Sequence, residues 1–371
     1  MKRLITALLY SVLMAMPVAA DELRSPLQGA WTGTIGGLTI NACFSLEEAH
    51  QYGAYYYLSH LQLIELGEKD DGKTWWEGDR FQETQKGPAW KVDPPTGDVA
   101  TGTWADKERT LPIKLKRLTF SDEESVAPCA SNAFFKPRVT PPKITETPAK
   151  QDGITYTKIV SEVGKQFKVE IESFKLLGNS APIRKVNTVL QQNIGSRGKA
   201  PEYIECMKGS LESFGSDGDY NDTFAPDILT KHWLVATDTN DSSCGGAHPN
   251  TSSTDYVFDL QTGSVVDVAN MLNKLSIGTV GKPLMTLQGQ LKEAVLKLQQ
   301  KENPDCVEEV KNAENTDVSL VRAGLSFTPR VLEREGPCRN AVVISFADMQ
   351  PFLTPAGKTR LKSFQDELPK Q

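Results

Sequence analysis

Histidine is scarce in this chain, with four copies among 371 residues. There is no HExxH pair for a zinc hydrolase, no CxxC or mixed Cys/His run for structural zinc, and no GxSxG turn to present a serine nucleophile. A Ser–His–Asp triad stays open, because its members need not be close along the chain. The sequence therefore predicts neither a metal nor a cofactor and shows no recognisable reaction centre. The four histidines are His50, His60, His232 and His248.

Basic charge is also in deficit, with 41 lysines and arginines against 47 aspartates and glutamates. Nucleic-acid binding needs a basic footprint for the phosphates, so this balance argues against a nucleic-acid partner. An acidic chain is compatible with a cationic partner.

Long apolar runs are missing after the N-terminus. The one such run follows Lys2 and Arg3 and extends from Leu4 to Val18, which is shorter than the roughly 20 residues of a membrane-spanning helix. Small residues come next, so residues 1–20 are predicted to be a signal peptide cleaved before Asp21. No cysteine lies there to carry a lipid. We expect an exported protein, periplasmic or secreted, with no membrane anchor after cleavage.

The six cysteines all lie in the exported part of the chain. An even number of cysteines in an oxidising compartment indicates disulfides. Two cysteines precede a proline-rich segment and four follow it, so the first two are expected to pair with each other. For the other four we favour pairing between neighbours in sequence. The predicted bonds are Cys43–Cys129, Cys206–Cys244 and Cys306–Cys338.

The proline-rich segment, residues 136–152, is predicted to be a semi-rigid linker between domains 21–135 and 153–371. The first domain has short alternating strands such as RTLPIKLKRL, typical of an antiparallel barrel or sandwich. The second mixes strands and helices irregularly, which predicts an α+β fold with an antiparallel sheet and packed helices.

Three elements of the second domain are predicted in detail. A helix begins at Pro182 with Ser180 as its cap, and its apolar face includes Ile194. Apolar spacing from Leu284 onwards predicts a second helix over 283–301. Alternation around Phe258 predicts a hairpin that turns at residues 262–263.

Five of the six tryptophans fall in the first domain. Most of them are expected to fill a small core, although tryptophans also stack on sugar rings or contact protein partners. Trp75 and Trp76 are adjacent in a predicted strand, where neighbouring side chains point to opposite faces. One of this pair is therefore expected to be exposed.

Acidic residues alternate in the segment SDGDYND, where Asp217, Asp219 and Asn221 have the spacing at which a calcium loop begins. Such a loop needs glycine at its sixth position and glutamate at its twelfth, and this chain has Asp222 and Ile228 there. A solvated acidic turn is the better interpretation. The polar run TDTNDSS from residue 237 is predicted to be another exposed loop.

The segment GGAHPN, residues 245–250, is followed by an alternating strand and its turn at 262–263. This pattern resembles the C-terminal domain shared by the RsiV anti-sigma factor and the PdaC peptidoglycan deacetylase, over about residues 153–362. The β domain before it resembles calycin-like domains of bacterial envelope proteins, which implies no ligand. The RsiV/PdaC resemblance implies a non-catalytic binding fold, because this domain captures lysozyme in the anti-sigma factor and accompanies a separate catalytic domain in the deacetylase.

Within GGAHPN a structural role is expected. Gly245 and Gly246 permit unusual backbone torsions, Pro249 biases His248 towards an extended conformation, and Asn250 can cap the turn. The His248 ring is expected to bond to backbone groups across the turn.

The leading hypothesis is an exported, non-catalytic envelope protein that binds a lysozyme-like muramidase or a cell-wall ligand through the loops at 242–253 and 216–222. Two alternatives stay open: a peptidoglycan-acting enzyme with an unrecognised site, and a glycan-binding module that uses exposed tryptophans. The candidate binding residues are His248, Asn250, Trp75, Trp76, Asp217 and Asp219.

Overall fold

The computed structural model describes residues 27–369 except for 48–49, 70–72, 79–86, 120–126, 193–200, 280–284, 331–337 and 339. The predicted signal peptide lies outside the described residues. The chain divides by its internal contacts into two compact units, Met1–Ser59 with Ile64–Phe134 and His60–Leu63 with Phe135–Gln371. The domain boundaries drawn from the sequence stay a prediction. Among the described helices, none is long and apolar enough to cross a membrane.

The first unit is a closed antiparallel barrel in which each strand pairs with the next and the first pairs with the last. The barrel closes tightly at Gly33, where an added Cβ would lie 1.9 Å from the Lys114 carbonyl oxygen. A disulfide joins Cys43 to Cys129. The strands are β1 (Gly29–Ile35), β2 (Leu38–Glu47), β3 (His50–Tyr57), β4 (Ile64–Lys69), β5 (Thr74–Glu77), β6 (Ala89–Val92), β7 (Val99–Ala105) and β8 (Thr110–Arg117); helix α1 (Asn132–Phe135) follows.

Aromatic side chains fill the barrel, as the tryptophan content predicts. Trp31, Trp75 and Trp90 have no exposed surface, and Trp104 is 7% exposed. These side chains belong to one apolar cluster with the aliphatic residues of the barrel wall. Aromatic rings supply more buried area per residue than leucine does, which suits a barrel of short strands.

Glu77 supplies the acceptor for three aromatic donors at the end of β5. Its Oε1 accepts hydrogen bonds from the Tyr55 hydroxyl at 2.5 Å, the Trp104 indole at 2.6 Å and the Trp90 indole at 3.3 Å. Burial, together with Glu77, raises the pKa of Tyr55 above its ordinary value. This carboxylate satisfies polar groups that the aromatic core would otherwise bury unpaired.

The second unit contains a seven-stranded sheet in the order β15-β14-β13-β12-β11-β10-β9. All neighbouring strands are antiparallel except β11 and β12, which are parallel. Parallel neighbours need a crossover connection, and the segment between β11 and β12 that contains helices α2 and α3 provides it. The elements are β9 (Lys143–Gln151), β10 (Ile154–Glu162), β11 (Lys168–Leu176), α2 (Ala181–Leu190), α3 (Glu202–Phe214), β12 (Asp219–Leu229), β13 (Trp233–Ser243), β14 (Asn250–Asp259) and β15 (Ser264–Val265).

A second, antiparallel sheet of the same unit has the order β16-β17-β18-β19-β20. Its core includes Ile228, Val235 and Val257 from the larger sheet and apolar residues of helices α4 and α6. On the other face of the larger sheet, Val186 and Leu190 of α2 form a separate core. The remaining elements are β16 (Ile277–Thr279), β17 (Met285–Leu287), α4 (Gly289–Glu302), α5 (Val307–Asn312), β18 (Asn315–Val321), β19 (Gly324–Arg330), β20 (Val342–Ser345) and α6 (Pro355–Glu367).

Several local predictions are confirmed. Helix α2 begins after Ser180, whose hydroxyl accepts from the Ile183 backbone amide. The hairpin of β14 and β15 turns through Gly263 with φ of 70°. The three disulfides have the predicted pairing. Ile194, placed on the face of the first predicted helix, lies outside the described residues.

Three predictions are wrong. The helix predicted over 283–301 begins at Gly289, because residues 285–287 pair as strand β17. The predicted linker contains strand β9, which pairs with β10 along its whole length. The two polar segments predicted to be an acidic turn and an exposed loop form much of β12 and β13.

Candidate functional site

The GGAHPN segment forms the connection between β13 and β14, and a disulfide fixes it to helix α3. Cys244 at the end of β13 is bonded to Cys206 of α3. Gly245 has a φ of 95°, and a Cβ there would lie 2.4 Å from the Gly209 carbonyl oxygen. Glycine is required at this position because the loop passes so close to the helix. The Cys206–Cys244 bond and this close packing together fix the loop to the helix.

His248 and Asn250 are both exposed. Asn250 is the first residue of β14 and lies opposite Ser242. The prediction that the His248 ring bonds across the turn is wrong, since within the described residues the ring has no hydrogen-bond partner. Close packing of Gly245 against α3 holds the loop instead and leaves the imidazole directed to solvent.

A groove of about 640 Å³ lies beside this loop, at the end of the sheet where β11 and β12 begin and β13 ends. We call it the loop groove. Three carboxylates and one lysine line it together with uncharged side chains. Lys168 Nζ lies 3.4 Å from Asp219 Oδ1, and both side chains are mostly exposed, so their pairing contributes little. The lining residues are Phe167, Lys168, Val169, Glu170, Asp219, Tyr220, Asn221, Asp241, Ser242, Ser243 and Pro249.

Asp217 does not line the loop groove, although it is only two residues from Asp219. Its two carboxylate oxygens accept from the Arg138 guanidinium at 2.7 Å and 2.5 Å. Arg138 is buried, and its guanidinium also lies over the Phe167 ring at 4.8 Å. A two-point pair with a buried arginine gives Asp217 a structural role.

Sequence reasoning missed a buried carboxyl group in the same segment. Asp222 is 2% exposed, and its Oδ2 lies 3.4 Å from the hydroxyl of Tyr220. Burial raises the pKa of Asp222 to about 7, together with the charge of Asp238, a hydrogen bond to Asp238 and the charge of Glu202. Asp222 thus keeps a proton close to neutral pH beside Asp238, an arrangement that can serve acid–base chemistry.

The signal for this pair was present in the sequence. Tyr220, Asp222 and Phe224 alternate with the more exposed Asn221 and Thr223, which is the period of a half-buried strand. Treating the segment as an acidic turn concealed this alternation.

Trp75 and Trp76 point to opposite sides of the barrel wall, as expected. Trp75 is fully buried against Phe44, with ring centroids 4.9 Å apart, and its indole N–H has no hydrogen-bond partner among the described residues. Trp76 is half-buried, and its ring covers Gly67, where an added Cβ would lie 2.6 Å from the indole. Of this pair, Trp76 is the one with outer surface for a ligand.

His232 is paired with a carboxylate. Its Nδ1 lies 2.5 Å from Glu367 Oε1, and its backbone amide donates to Oε2 of the same carboxylate. Burial opposes the charge of Glu367, but hydrogen bonds from Thr230 and His232 hold the pKa of that carboxyl below its ordinary value. This cluster joins α6 to the turn between β12 and β13.

No protein-family model matches the chain, and no curated protein matches it. Among solved structures, a DUF3298 family protein of Bacteroides fragilis is similar at 12% identity over 61% of this chain and 98% of that chain, with a TM-score of 0.39. A DUF3298 family protein of Pseudomonas aeruginosa is similar at 10% identity over 59% and 97%, with a TM-score of 0.32. The finer likeness to the RsiV/PdaC domain stays a prediction.

Proposed function

We propose that this protein is an exported, non-catalytic binding protein of the bacterial envelope, and that its loop groove captures a cationic protein, a lysozyme-like muramidase. The observation that carries the proposal is the charge of the groove. Asp219, Asp241 and Glu170 face one lysine, Lys168, around an open concave surface. The chain as a whole has a net charge of −6, and complementary charge accelerates and orients association with a basic protein.

The disulfide between Cys206 and Cys244 supports the same proposal. A loop already fixed in one conformation loses less entropy when a partner orders it. The loop at 244–249 is held by this covalent bond and by the close packing of Gly245 against α3. Disulfides also suit the oxidising compartment in which a muramidase would be met.

Charge reversal in the groove tests the proposal. The double variant Asp219→Lys/Asp241→Lys removes two carboxylates from the groove and adds two ammonium groups. We expect it to raise the dissociation constant for an immobilised lysozyme at least tenfold at low salt. Glu293→Lys/Glu309→Lys is the matched control, because it changes the net charge equally at exposed positions on α4 and α5 that do not line the groove.

If both double variants lose affinity equally, the attraction is a general effect of net charge. If neither variant loses affinity, the groove does not take part in the binding. If cell-wall fragments bind in place of lysozymes, the protein partner is wrong and the groove serves a cell-wall ligand.

A second candidate function is hydrolysis of peptidoglycan, and the Asp222–Asp238 pair is the observation that favours it. Some hydrolases use two adjacent carboxyl groups, one of them protonated near neutral pH. The test is mass spectrometry of cell-wall fragments incubated with the oxidised protein and with Asp222→Asn. Products made by the native protein and lost in the variant support catalysis, and unchanged fragments reject it.

A further inference from the structure

A second cavity of about 420 Å³ lies in the same unit, between strands β12–β14 and the end of β18. We call it the bulge pocket, because the pairing of β12 with β13 shifts by one residue between Pro226 and Ile228 and leaves Asp227 in a bulge. Proline lacks a backbone donor for the ladder, and bulges often redirect side chains at functional sites. The pocket is lined by Asp227, Ile228, Val235, Thr237, Asp255, Ser319, Leu320, Val321 and Arg322.

Two carboxylates in the bulge pocket share one donor. Thr237 Oγ1 lies 2.6 Å from Asp227 Oδ2 and 2.8 Å from Asp255 Oδ1. A hydroxyl has a single proton, so only one of these oxygens receives it. Desolvation raises the pKa of Asp227, and the charge of Asp255 raises it further. The hydrogen bond from Thr237 and the charge of Arg322 lower it in part. The hydroxyl proton therefore satisfies one of these two carboxylates, and the other lacks a donor among the described residues.

Arg322 does not supply that donor. Its Nη2 contacts both carboxylate oxygens of Asp152, at 2.7 Å and 2.8 Å, and donates to the Asp227 carbonyl oxygen at 2.9 Å. Asp152 also accepts from the Leu229 backbone amide at 3.0 Å. The arginine is thus paired with a carboxylate that is not among the residues lining the pocket.

Ser319 is an independent sign that the bulge pocket receives a polar group. The residue is 6% exposed and lines the pocket, and its hydroxyl has no hydrogen-bond partner within the described residues. A buried unpaired hydroxyl destabilises the folded state, so its retention needs a reason. The apolar walls are Ile228, Val235 and Leu320, all at most 2% exposed.

We propose that the bulge pocket binds a primary ammonium group on an aliphatic stem. Three N–H donors of an ammonium match the carboxylates of Asp227 and Asp255 and the hydroxyl of Ser319. Methylene groups of the stem pack on Val321, the partly exposed apolar residue of the lining. The shared chemistry has two sources, a free alkyl diamine and the lysine side chain of a protein or peptide.

Isothermal titration of the oxidised protein with three probes tests this inference. 1,5-Diaminopentane represents the free amine, Nα-acetyl-lysine amide represents the side chain, and 1,5-pentanediol has a similar stem without charge. We expect saturable binding of one or both amines and at least tenfold weaker binding of the diol. Binding of the diamine alone assigns a small-molecule source, and binding of the lysine amide assigns a peptide source. Equal binding of the diol, or no binding of either amine, overturns the proposal.

Variants locate the binding. Asp227→Asn and Asp255→Asn should each weaken amine binding at least tenfold, whereas Asp317→Asn, an exposed aspartate of β18 paired with Arg330, should not. Ser319→Ala should weaken binding and raise the melting temperature, because it removes the unpaired hydroxyl. If Asp227→Asn folds normally and its amine binding is unchanged, the proposed site is contradicted.

Discussion

Replacing Asp222 by asparagine should remove a pH dependence that the native protein has between about pH 4 and 7. The folded protein holds the pKa of this carboxyl at about 7, against an ordinary value of 3.8. Below both values the group is protonated in both states. Between them only the folded state keeps the proton, so the free energy of unfolding falls as the pH rises, by at most about 1.4 kcal/mol per pH unit.

The size of the effect follows from the shift. A displacement of about 3 pKa units corresponds to at most about 4 kcal/mol of lost stability at pH 8 relative to pH 4. Asparagine is neutral throughout this range and keeps a hydrogen-bond donor at the same position. Asp222→Asn should therefore be more stable than the native protein at pH 8, on the order of 2–4 kcal/mol, and similar to it at pH 4.

Denaturant unfolding of both proteins at pH 4, 5, 6 and 8, with the disulfides intact, measures this difference. Asp219→Asn is the control, because the exposed Asp219 lies on the same strand without a buried carboxyl neighbour. Other carboxyls contribute their own pH dependence, so the informative quantity is the difference between native protein and variant at each pH. A difference that stays constant from pH 4 to pH 8 would refute the raised pKa of Asp222.

Three further predictions concern stability, each measured by denaturant unfolding. Asp217→Asn leaves the buried Arg138 without its two-point carboxylate partner and should lower the free energy of unfolding by about 3–5 kcal/mol. A change near zero would contradict the structural role given to Asp217. Glu77→Ala removes the acceptor of one tyrosine and two tryptophans in the barrel and should cost about 2–4 kcal/mol, whereas Glu77→Gln should cost less. Cys206→Ser/Cys244→Ser opens a loop closed across 38 positions and should lower the free energy of unfolding by about 3–4 kcal/mol. It should also weaken partner binding. Unchanged binding would show that the disulfide is not needed to hold the loop for the partner.

Patterns with a simple physical period were readable from the sequence. Ile113 and Leu115 are buried while Lys114 and Lys116 are exposed, so alternation alone identified β8. Cysteine positions, with the expectation of an oxidising compartment, identified the disulfides. The Ser180 cap identified the start of α2 because capping depends on local chemistry.

Strands without apolar alternation were not readable. The run from Thr237 to Ser243 is polar on both faces of strand β13, with Thr237 and Asp241 on one face and Asp238 and Asn240 on the other. Its strand conformation comes from backbone pairing with β12 and β14, which sequence composition does not record. The start of α4 was missed for a related reason: Leu284 and Leu287 have helical spacing by coincidence, and Leu287 belongs to strand β17.

The candidate site was only partly predictable. The GGAHPN segment and Asp219 were singled out from the sequence. The loop groove also needs Glu170 and Asp241, which are brought to Asp219 by the register of three strands. The bulge pocket combines residues of β12, β13, β14 and β18, and no local pattern connects them.

Binding of the oxidised mature protein to immobilised lysozymes of several types, measured at two salt concentrations, decides whether the acidic loop groove serves the proposed partner. Capture by the groove predicts saturable binding to at least one type, with a dissociation constant of about 1 μM or below. Raising the salt from about 50 to 300 mM should weaken this binding, because the contacts are between exposed charges. Absence of binding to every type, or binding of equal strength at both salt concentrations, would contradict the proposed function.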